Sequence, residues 1–307
     1  MTMQNDYPPF SVLMSVYKSD NPNYLDVALQ SIEQQTVKPS EIVLVEDGPL
    51  SQGLHEIIKK HTRLFEGNLK NIRLKTNNGL GVALKIGTKY VSNQWIARMD
   101  ADDYSVPDRF EKQLKIITSQ SNISAVGGQV AEFATNINNI VGYRKVPVEK
   151  DLISDFIKWR SPLNHPTVML NKESLMNVGG YLPYGNLEDY FLWVRMLSQN
   201  MKIYNSNDVL VYMRVDDGMY KRRGKLKNIK FFYSLRSFMY KKKLINIKEM
   251  FLGDFIVTAN IIMPGWLRKI IYQRILHNAV CKIKLEKKKA ICDRLLSIPN
   301  QKKGNHK

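Results

Sequence analysis

The chain has 307 residues, of which 44% are hydrophobic and 24% are charged, a composition typical of a globular protein with a full core. Its two cysteines, Cys281 and Cys292, are too few for a disulfide framework and wrongly spaced for a zinc site or a redox CxxC. The first ten residues, MTMQNDYPPF, lack a basic segment followed by an apolar one. We therefore expect no signal peptide and a chain that begins in the cytosol.

The formal net charge of +18 is distributed unevenly along the sequence. Residues 221–307 contain 23 Lys and Arg against 4 acidic residues, whereas residues 1–220 carry a net charge of only −1. A nearly neutral domain is therefore followed by a strongly basic region, and each part needs its own explanation. We place the boundary at residue 224, with a catalytic domain over 1–224 and a basic helical region over 225–307.

The first half of the sequence alternates short apolar runs with amphipathic segments, as in a mostly parallel sheet covered by helices. The predicted strands of this half are Phe10–Val16, Glu41–Glu46, Ile72–Lys75 and Trp95–Met99. The predicted helices are Pro22–Gln35, Gln52–Phe65, a segment from Gly79 to Val91 and a segment that starts near Pro107. Later elements are strands at Ser124–Phe133, Ile140–Val146, Pro166–Leu170 and Val209–Arg214, and a helix at Leu187–Leu197.

Acidic residues follow two of the predicted strands. Asp47 comes after the second strand, and Asp100, Asp102 and Asp103 come after the fourth. In an open α/β sheet, ligands bind at the carboxyl ends of the strands. Carboxylates crowded there repel one another unless a cation lies among them, and oxygen ligands beside a phosphate-rich substrate suit Mg²⁺ or Mn²⁺. The alternative is that these aspartates only cap turns and the following helix.

Other nucleotide-binding patterns do not fit the sequence. The segment from Gly79 to Gly81 begins like a dinucleotide fingerprint, but the third glycine position holds Leu84. No GxxxxGK segment is present, which excludes a P-loop, and no HExxH motif is present. A nucleotidyltransferase would need a Gly-rich basic signature after the first strand, where this chain has YKSDNP.

Six segments between Phe10 and Arg214 resemble, in order, those of the inverting glycosyltransferases of family 2. They are FSVLMSVYKSDNP, VLVEDGP, NNGLGVAL, ARMDADDYSVPDRFEKQ, SPLNHPTVML and VGGY…LEDYFLWVRM. Within this family the chain looks like the branch of amylovoran, other exopolysaccharide and O-antigen biosynthesis enzymes. The resemblance implies the α/β fold called GT-A, a Rossmann-like mixed open sheet with flanking helices. The QxxRW motif of processive members is absent, which favours transfer of one sugar per turnover.

The resemblance also implies roles for individual residues. Tyr17 stacks on the uracil of a UDP-sugar, Asp47 accepts from the uracil N–H, and Asp100 lies near the ribose. Asp102 ligates the Mn²⁺ or Mg²⁺ that bridges the diphosphate, and Asp189 is the expected general base. Further nucleotide-sugar contacts are expected from Lys85, Arg98 and Glu188. One departure is Glu46, which stands where the family commonly has Asp.

Basic residues follow the last predicted strand. We expect a loop that contains Arg214, Arg222 and Arg223 to close over the diphosphate of the donor. The alternative is an ordinary solvated run of charges.

The basic region beyond residue 224 interleaves lysines with aromatic residues. Its most apolar segment, Met250–Leu267, contains Asp254, Asn260 and Pro264 and is too interrupted to span a membrane. Helices lying in an anionic membrane surface fit this composition, and no nucleic-acid-binding motif is present. Another possibility is that these helices pack on the catalytic domain or on a partner subunit.

The sequence thus predicts a peripheral enzyme at the cytoplasmic face of a bacterial inner membrane. We expect it to move a hexose, galactose or glucose, from a UDP-sugar to a lipid-diphosphate-linked saccharide and to form a β-glycoside. The setting would be O-antigen, capsule or exopolysaccharide biosynthesis. The alternatives are N-acetylhexosaminyl transfer by the same fold and a non-catalytic basic scaffold for membranes or nucleic acid, which would not need intact acidic motifs.

Overall fold

The computed structural model describes residues 7–215 and 229–263. Within these ranges, nine strands form one mixed sheet with the order β3-β2-β1-β4-β8-β6-β9-β5, and β7 pairs with β6. The strands are β1 (Phe10–Val16), β2 (Glu41–Glu46), β3 (Leu69–Arg73), β4 (Trp95–Met99), β5 (Tyr104–Ser105), β6 (Ile123–Phe133), β7 (Ile140–Arg144), β8 (Met169–Asn171) and β9 (Lys202–Arg214).

Helices flank both faces of this sheet. They are α1 (Pro22–Glu33), α2 (Gln52–Leu64), α3 (Leu80–Thr88), α4 (Arg109–Ser119), α5 (Lys150–Phe156), α6 (Lys172–Asn177), α7 (Glu188–Leu197), α8 (Ile229–Lys241) and α9 (Ile247–Ile262). Local sequence fixes several of their starts. The Asn21 side chain caps α1 ahead of Pro22, and Asn246 and Glu249 form a reciprocal capping box at α9.

The strands that carry the predicted site are parallel and buried. β1 pairs in parallel with β2 on one side and with β4 on the other, so their carboxyl ends meet at one edge of the sheet. All residues of β2 and β4 are buried, as expected for strands covered by helices on both faces. This edge is where the acidic residues of the sequence come together.

The structure confirms the mixed open sheet with flanking helices and also shows where local pattern was insufficient. β3 begins at Leu69 and β9 at Lys202, each earlier than predicted, because β3 pairs along β2 and β9 pairs along nearly all of β6. Pro166 lies in a short 3-10 helix ahead of β8. Since proline has no backbone N–H for a central ladder, the strand starts after it.

The first part of the basic region packs on the rest of the protein. Leu235 and Met239 of α8 are buried in the same apolar cluster as the residues of α7. Arg236 is also buried, and it donates to the backbone oxygen of Lys158 and pairs with Asp254 of α9. Packing on the catalytic domain was one of the alternatives for this region. The proposed boundary at residue 224 falls between the two described ranges and stays a prediction.

Within residues 7–215 and 229–263, the helices are all too short or too polar to cross a membrane.

Candidate functional site

The carboxyl ends of β1 and β2 bring together two of the predicted residues. Tyr17 directly follows β1 and is 40% exposed, while Asp47 follows β2 and is buried. The two carboxylate oxygens of Asp47 accept from the backbone N–H groups of Asn78 and Gly79, at 2.8 and 2.9 Å. Asp47 therefore fixes the loop that leads into α3. Each carboxylate oxygen has a second lone pair, so Asp47 can accept one more hydrogen bond, as from the N–H of a nucleotide base.

The acidic cluster, defined as Asp100, Asp102 and Asp103, follows β4. One carboxylate oxygen from each residue lies within 4.8 Å of the others. Asp102 is exposed, Asp100 is half-buried, and Asp103 is buried and accepts from the backbone N–H of Arg214 at 2.9 Å. The other Asp103 oxygen has no hydrogen-bond partner in the described structure. The cluster thus offers both an open carboxylate and a buried one that ties β4 to β9.

Crowding perturbs the protonation of this cluster. Although Asp102 is exposed as a residue, partial desolvation of its carboxyl among the neighbouring groups, followed by the charge of Asp100, raises its pKa to about 6. Burial and the charges of Asp100 and Asp102 raise the pKa of Asp103 well above its ordinary range. Carboxylates that repel one another in this way gain from a nearby cation.

A buried cation lies under the acidic cluster. Arg98 is 2% exposed and forms an ion pair with Asp100, while its Nε and Nη1 groups have no hydrogen-bond partner within the described ranges. Although burial lowers it, the charge of Asp100 raises the pKa of Arg98 overall, so the guanidinium stays charged. Arg98 was predicted to contact the nucleotide. In the structure its ion-pair partner is Asp100 of the acidic cluster.

Behind Arg98 lies a buried His165–Tyr181 pair, with Nε2 and the hydroxyl 3.1 Å apart. Burial, and then the charge of Arg98, lower the pKa of His165 well below its usual value, so this ring is neutral. Burial also raises the pKa of Tyr181. The two rings are thus buried and uncharged beside Arg98.

Sequence reasoning missed Asp20. Its carboxylate accepts from the Tyr17 backbone N–H at 2.9 Å. Burial raises the pKa of Asp20 to about 7, with further contributions from the charges of Asp102 and Asp100, so Asp20 faces the acidic cluster. The signal was present, because Asp20 follows β1 as Asp47 follows β2.

The pair Glu188 and Asp189 forms the first turn of α7. Burial, followed by the charge of Asp189, raises the pKa of Glu188 to about 7, and Asp100 adds to the effect. The start of α7 therefore faces the acidic cluster. Asp189 is half-buried there.

The other predicted residues lie less centrally. Lys85 is exposed on α3 and forms no ion pair within the described residues. The Arg214 guanidinium lies 3.7 Å from the centre of the Tyr24 ring and 4.6 Å from that of Phe133, and its Nε donates to the Asp102 backbone oxygen. The structure therefore shows Arg214 bracing the acidic cluster. Arg222 and Arg223 lie outside the described residues.

Asp20→Asn is expected to make the stability of the metal-free protein less dependent on pH. A folded-state pKa of about 7, against 3.8, gives stability that is fully present below pH 3.8 and is lost as pH rises through 7. Asparagine keeps the acceptor for Tyr17 and cannot ionise. Thermal unfolding in EDTA should show the variant gaining on wild type between pH 5 and pH 8, by on the order of 1–2 kcal/mol. A difference that does not change with pH would contradict the burial of Asp20 beside the acidic cluster.

Comparison with known proteins identifies the family of the chain. The profile described as Glycosyl transferase family 2 matches residues 11–179, which is more than half of the chain and ends before Glu188. The Escherichia coli enzyme named UDP-Gal:alpha-D-GlcNAc-diphosphoundecaprenol beta-1,3-galactosyltransferase is 32% identical over 274 residues, 89% of this chain and 98% of that protein. The amylovoran biosynthesis glycosyltransferase AmsE of Erwinia amylovora is 36% identical over 216 residues, 70% of this chain and 80% of that one.

Among solved structures, residues 1–349 of TarS from S. aureus in complex with UDP-GlcNAc superpose with a TM-score of 0.62 at 19% identity. The superposition covers 78% of this chain and 69% of that one, and it confirms the GT-A fold. The relatives confirm the exopolysaccharide and O-antigen branch that the sequence predicted. The chain belongs to glycosyl transferase family 2.

Proposed function

We propose that the protein transfers a hexose from a UDP-sugar to a lipid-diphosphate-linked saccharide, with inversion at the transferred carbon. The observation that carries the proposal is the acidic cluster after β4 facing the carboxylates at the start of α7. The E. coli relative whose name contains UDP-Gal and diphosphoundecaprenol supports this choice of donor and acceptor. The TarS structure, which contains UDP-GlcNAc, supports a UDP-sugar more generally.

The acidic cluster fits a divalent cation. Its three oxygens lie within 4.8 Å of one another, one Asp103 oxygen has no partner in the described structure, and hard oxygen ligands suit Mn²⁺ or Mg²⁺. Asp102 is the exposed member and would hold the ion on the side of the donor, with Asp100 beside it. When bound, the ion would offset the charge that develops on the leaving diphosphate.

The remaining steps fall to the protein's own residues. An acceptor hydroxyl is a weak nucleophile, so a carboxylate must take its proton as it attacks the anomeric carbon. We assign this role to Asp189, at the start of α7. Attack from the side opposite the diphosphate, in a single displacement, converts an α-linked donor into a β-glycoside. Tyr17 and the Asp47 carboxylate would hold the uracil at the ends of β1 and β2.

A donor screen tests the proposed substrate class. The full-length protein is incubated with Mn²⁺, a diphospholipid-linked saccharide panel and, separately, each of several nucleotide sugars. We expect transfer from UDP-galactose or UDP-glucose and none from GDP-mannose. Transfer from a UDP-N-acetylhexosamine alone would favour the alternative of N-acetylhexosaminyl transfer. Use of a GDP-sugar would contradict the assignment of Tyr17 and Asp47 to uracil.

The partner that we propose for the basic region is an anionic membrane surface, at the cytoplasmic face of a bacterial inner membrane. The acids of α9 point inward, where Glu249 pairs with Lys158 and Asp254 pairs with Arg236. Its outward face carries Lys248 and six exposed apolar side chains. These are Ile247, Phe251, Leu252, Phe255, Ile256 and Ile262.

This outward face has the features of an interfacial helix. Phe251 and Phe255 are 65% and 72% exposed, which is unusual for large apolar residues that share one helix face. Lys241 at the end of α8, and Lys242 and Lys243 directly after it, are exposed and form no ion pair within the described ranges. Exposed apolar side chains flanked by exposed lysines suit binding to anionic lipid. Such binding would bring the site to a lipid-linked acceptor.

Replacing both exposed phenylalanines, Phe251→Ser with Phe255→Ser, should lower flotation with phosphatidylglycerol-containing vesicles by several-fold, because apolar insertion is lost. Leu64→Ser at the end of α2, where Leu64 is 55% exposed, is the control and should float like wild type. High salt should weaken binding of all variants. Unchanged flotation of the double variant would contradict this surface assignment, as would a concentration-dependent dimer that buries the same face.

A further inference from the structure

An aromatic cluster joins α8 to the segment that precedes the carboxylates of α7. It consists of Tyr184, Phe191, Phe231 and Phe238. Tyr184 stacks on Phe191 with ring centres 4.1 Å apart, and Phe231 of α8 lies 5.3 Å from Tyr184. Phe238 meets Phe191 edge to face at 5.3 Å. Two residues of α8 thus contact the start of α7 and the turn before it.

The closest contact is between Phe231 and Gly185. A Cβ atom on Gly185 would lie 2.6 Å from Cδ2 of the Phe231 ring, so the ring packs directly on the glycine backbone. Gly185 has φ +67°, a conformation that other residues rarely adopt. The backbone of the 182–187 segment is therefore shaped to receive the ring.

The 182–187 segment also lies close to α3. A Cβ atom on Gly81, in α3, would lie 3.1 Å from the Leu182 backbone oxygen and 3.4 Å from the Glu188 Cβ. The 182–187 segment and the first residue of α7 thus contact both α3 and α8. Asp47 fixes the loop that leads into α3, so the contact with α3 connects the 182–187 segment to the sheet edge.

We propose that Phe231 is a positioning residue that holds the 182–187 segment against α3 and so sets the place of Asp189 opposite the acidic cluster. The inference depends on the proposed role of Asp189 as base. Because α8 belongs to the basic region, which lies beyond residues 11–179 of the family match, this region would then support catalysis as well as membrane binding. A base displaced by about 1 Å can lose two orders of magnitude in rate.

Phe231→Ala is expected to lower kcat by about 10- to 100-fold and to leave UDP affinity, measured by calorimetry with Mn²⁺, unchanged. Phe231→Tyr, which keeps the ring, should have nearly wild-type kcat. Phe231→Leu should fold and give an intermediate kcat. The control is Tyr233→Ala on the same helix, whose hydroxyl contacts Thr258 of α9. It should keep wild-type kcat on a short-chain acceptor. Wild-type kcat for both Phe231→Ala and Phe231→Leu would overturn the proposal.

A double-mutant cycle distinguishes positioning of Asp189 from a general effect on folding. If Phe231 acts through Asp189, adding Phe231→Ala to Asp189→Asn should lower kcat by less than twofold further. The same factor in both backgrounds would show that Phe231 does not act through Asp189 and would overturn the proposal. Failure of the proposed function is visible separately, as full turnover by Asp189→Asn alone.

Discussion

Asp189→Asn is expected to lower kcat by about 10² to 10⁴ while UDP affinity stays within twofold of wild type. The substitution keeps the size of the side chain and removes its basicity, so the acceptor hydroxyl loses its proton acceptor. Asp189 lies at the start of a helix whose next residues, Tyr190 to Met196, are all buried, so the backbone should not move. Steady-state kinetics at saturating donor and acceptor, with calorimetry for UDP, measure both quantities.

The matched control is Glu188→Gln, which removes the same charge one residue earlier. Burial raises the pKa of Glu188 to about 7, a value that would itself suit a general base, so this variant tests the neighbouring candidate directly. Asp189 is preferred because it occupies the position that the resemblance to family 2 enzymes assigns to the base. We expect a much smaller loss of kcat for Glu188→Gln than for Asp189→Asn. The reverse order would move the base to Glu188, and full turnover by both variants would place it elsewhere.

Asp102→Ala is expected to reduce UDP affinity by about 10- to 100-fold in the presence of Mn²⁺, and EDTA should do the same to wild type. The reason is that the exposed carboxylate of the cluster would link the ion to the diphosphate. EDTA should have no further effect on the variant. Calorimetric titration of UDP into both proteins, with Mn²⁺ and with EDTA, gives the four values.

Asp155→Ala is the control for the metal experiment, because Asp155 is 75% exposed on α5 and lies outside the cluster. Its UDP affinity should match wild type and should respond to EDTA in the same way. Equal affinity for wild type and Asp102→Ala under all conditions would mean that the cluster does not bind the donor through a cation.

The bounds of β1, β2 and β4 could be predicted because they depend on the local sequence. β1, β2 and β4 have the predicted bounds, since each is a short apolar run that helices cover on both faces. The acidic residues after β2 and β4 then lie at the same edge because parallel strands end at one edge of a sheet. The same rule would have added Asp20 after β1, but in sequence Asp20 looks like an ordinary turn residue before the α1 cap.

Contacts between distant segments could not be predicted from local pattern. Nothing in the sequence around Gly185 or Phe231 indicates that they touch, and the amphipathic pattern of α8 does not identify the surface that it covers. The ion pair of Arg98 with Asp100 was also missed, although the two residues are only two positions apart. The local pattern does not show that Arg98 is buried by the surrounding elements and therefore needs a carboxylate beside it. β5, at Tyr104–Ser105, is too short to give a periodic signal.

The anomeric configuration of the product tests the central claim most directly. The full-length protein is given Mn²⁺, the UDP-hexose that the screen selects and a diphospholipid-linked acceptor, and the purified product is examined by NMR. Single displacement assisted by Asp189 predicts a β-glycosidic bond formed from the α-linked donor, at a rate that falls with Asp189→Asn. An α-linked product, or release of free hexose without transfer to the acceptor, would contradict the account.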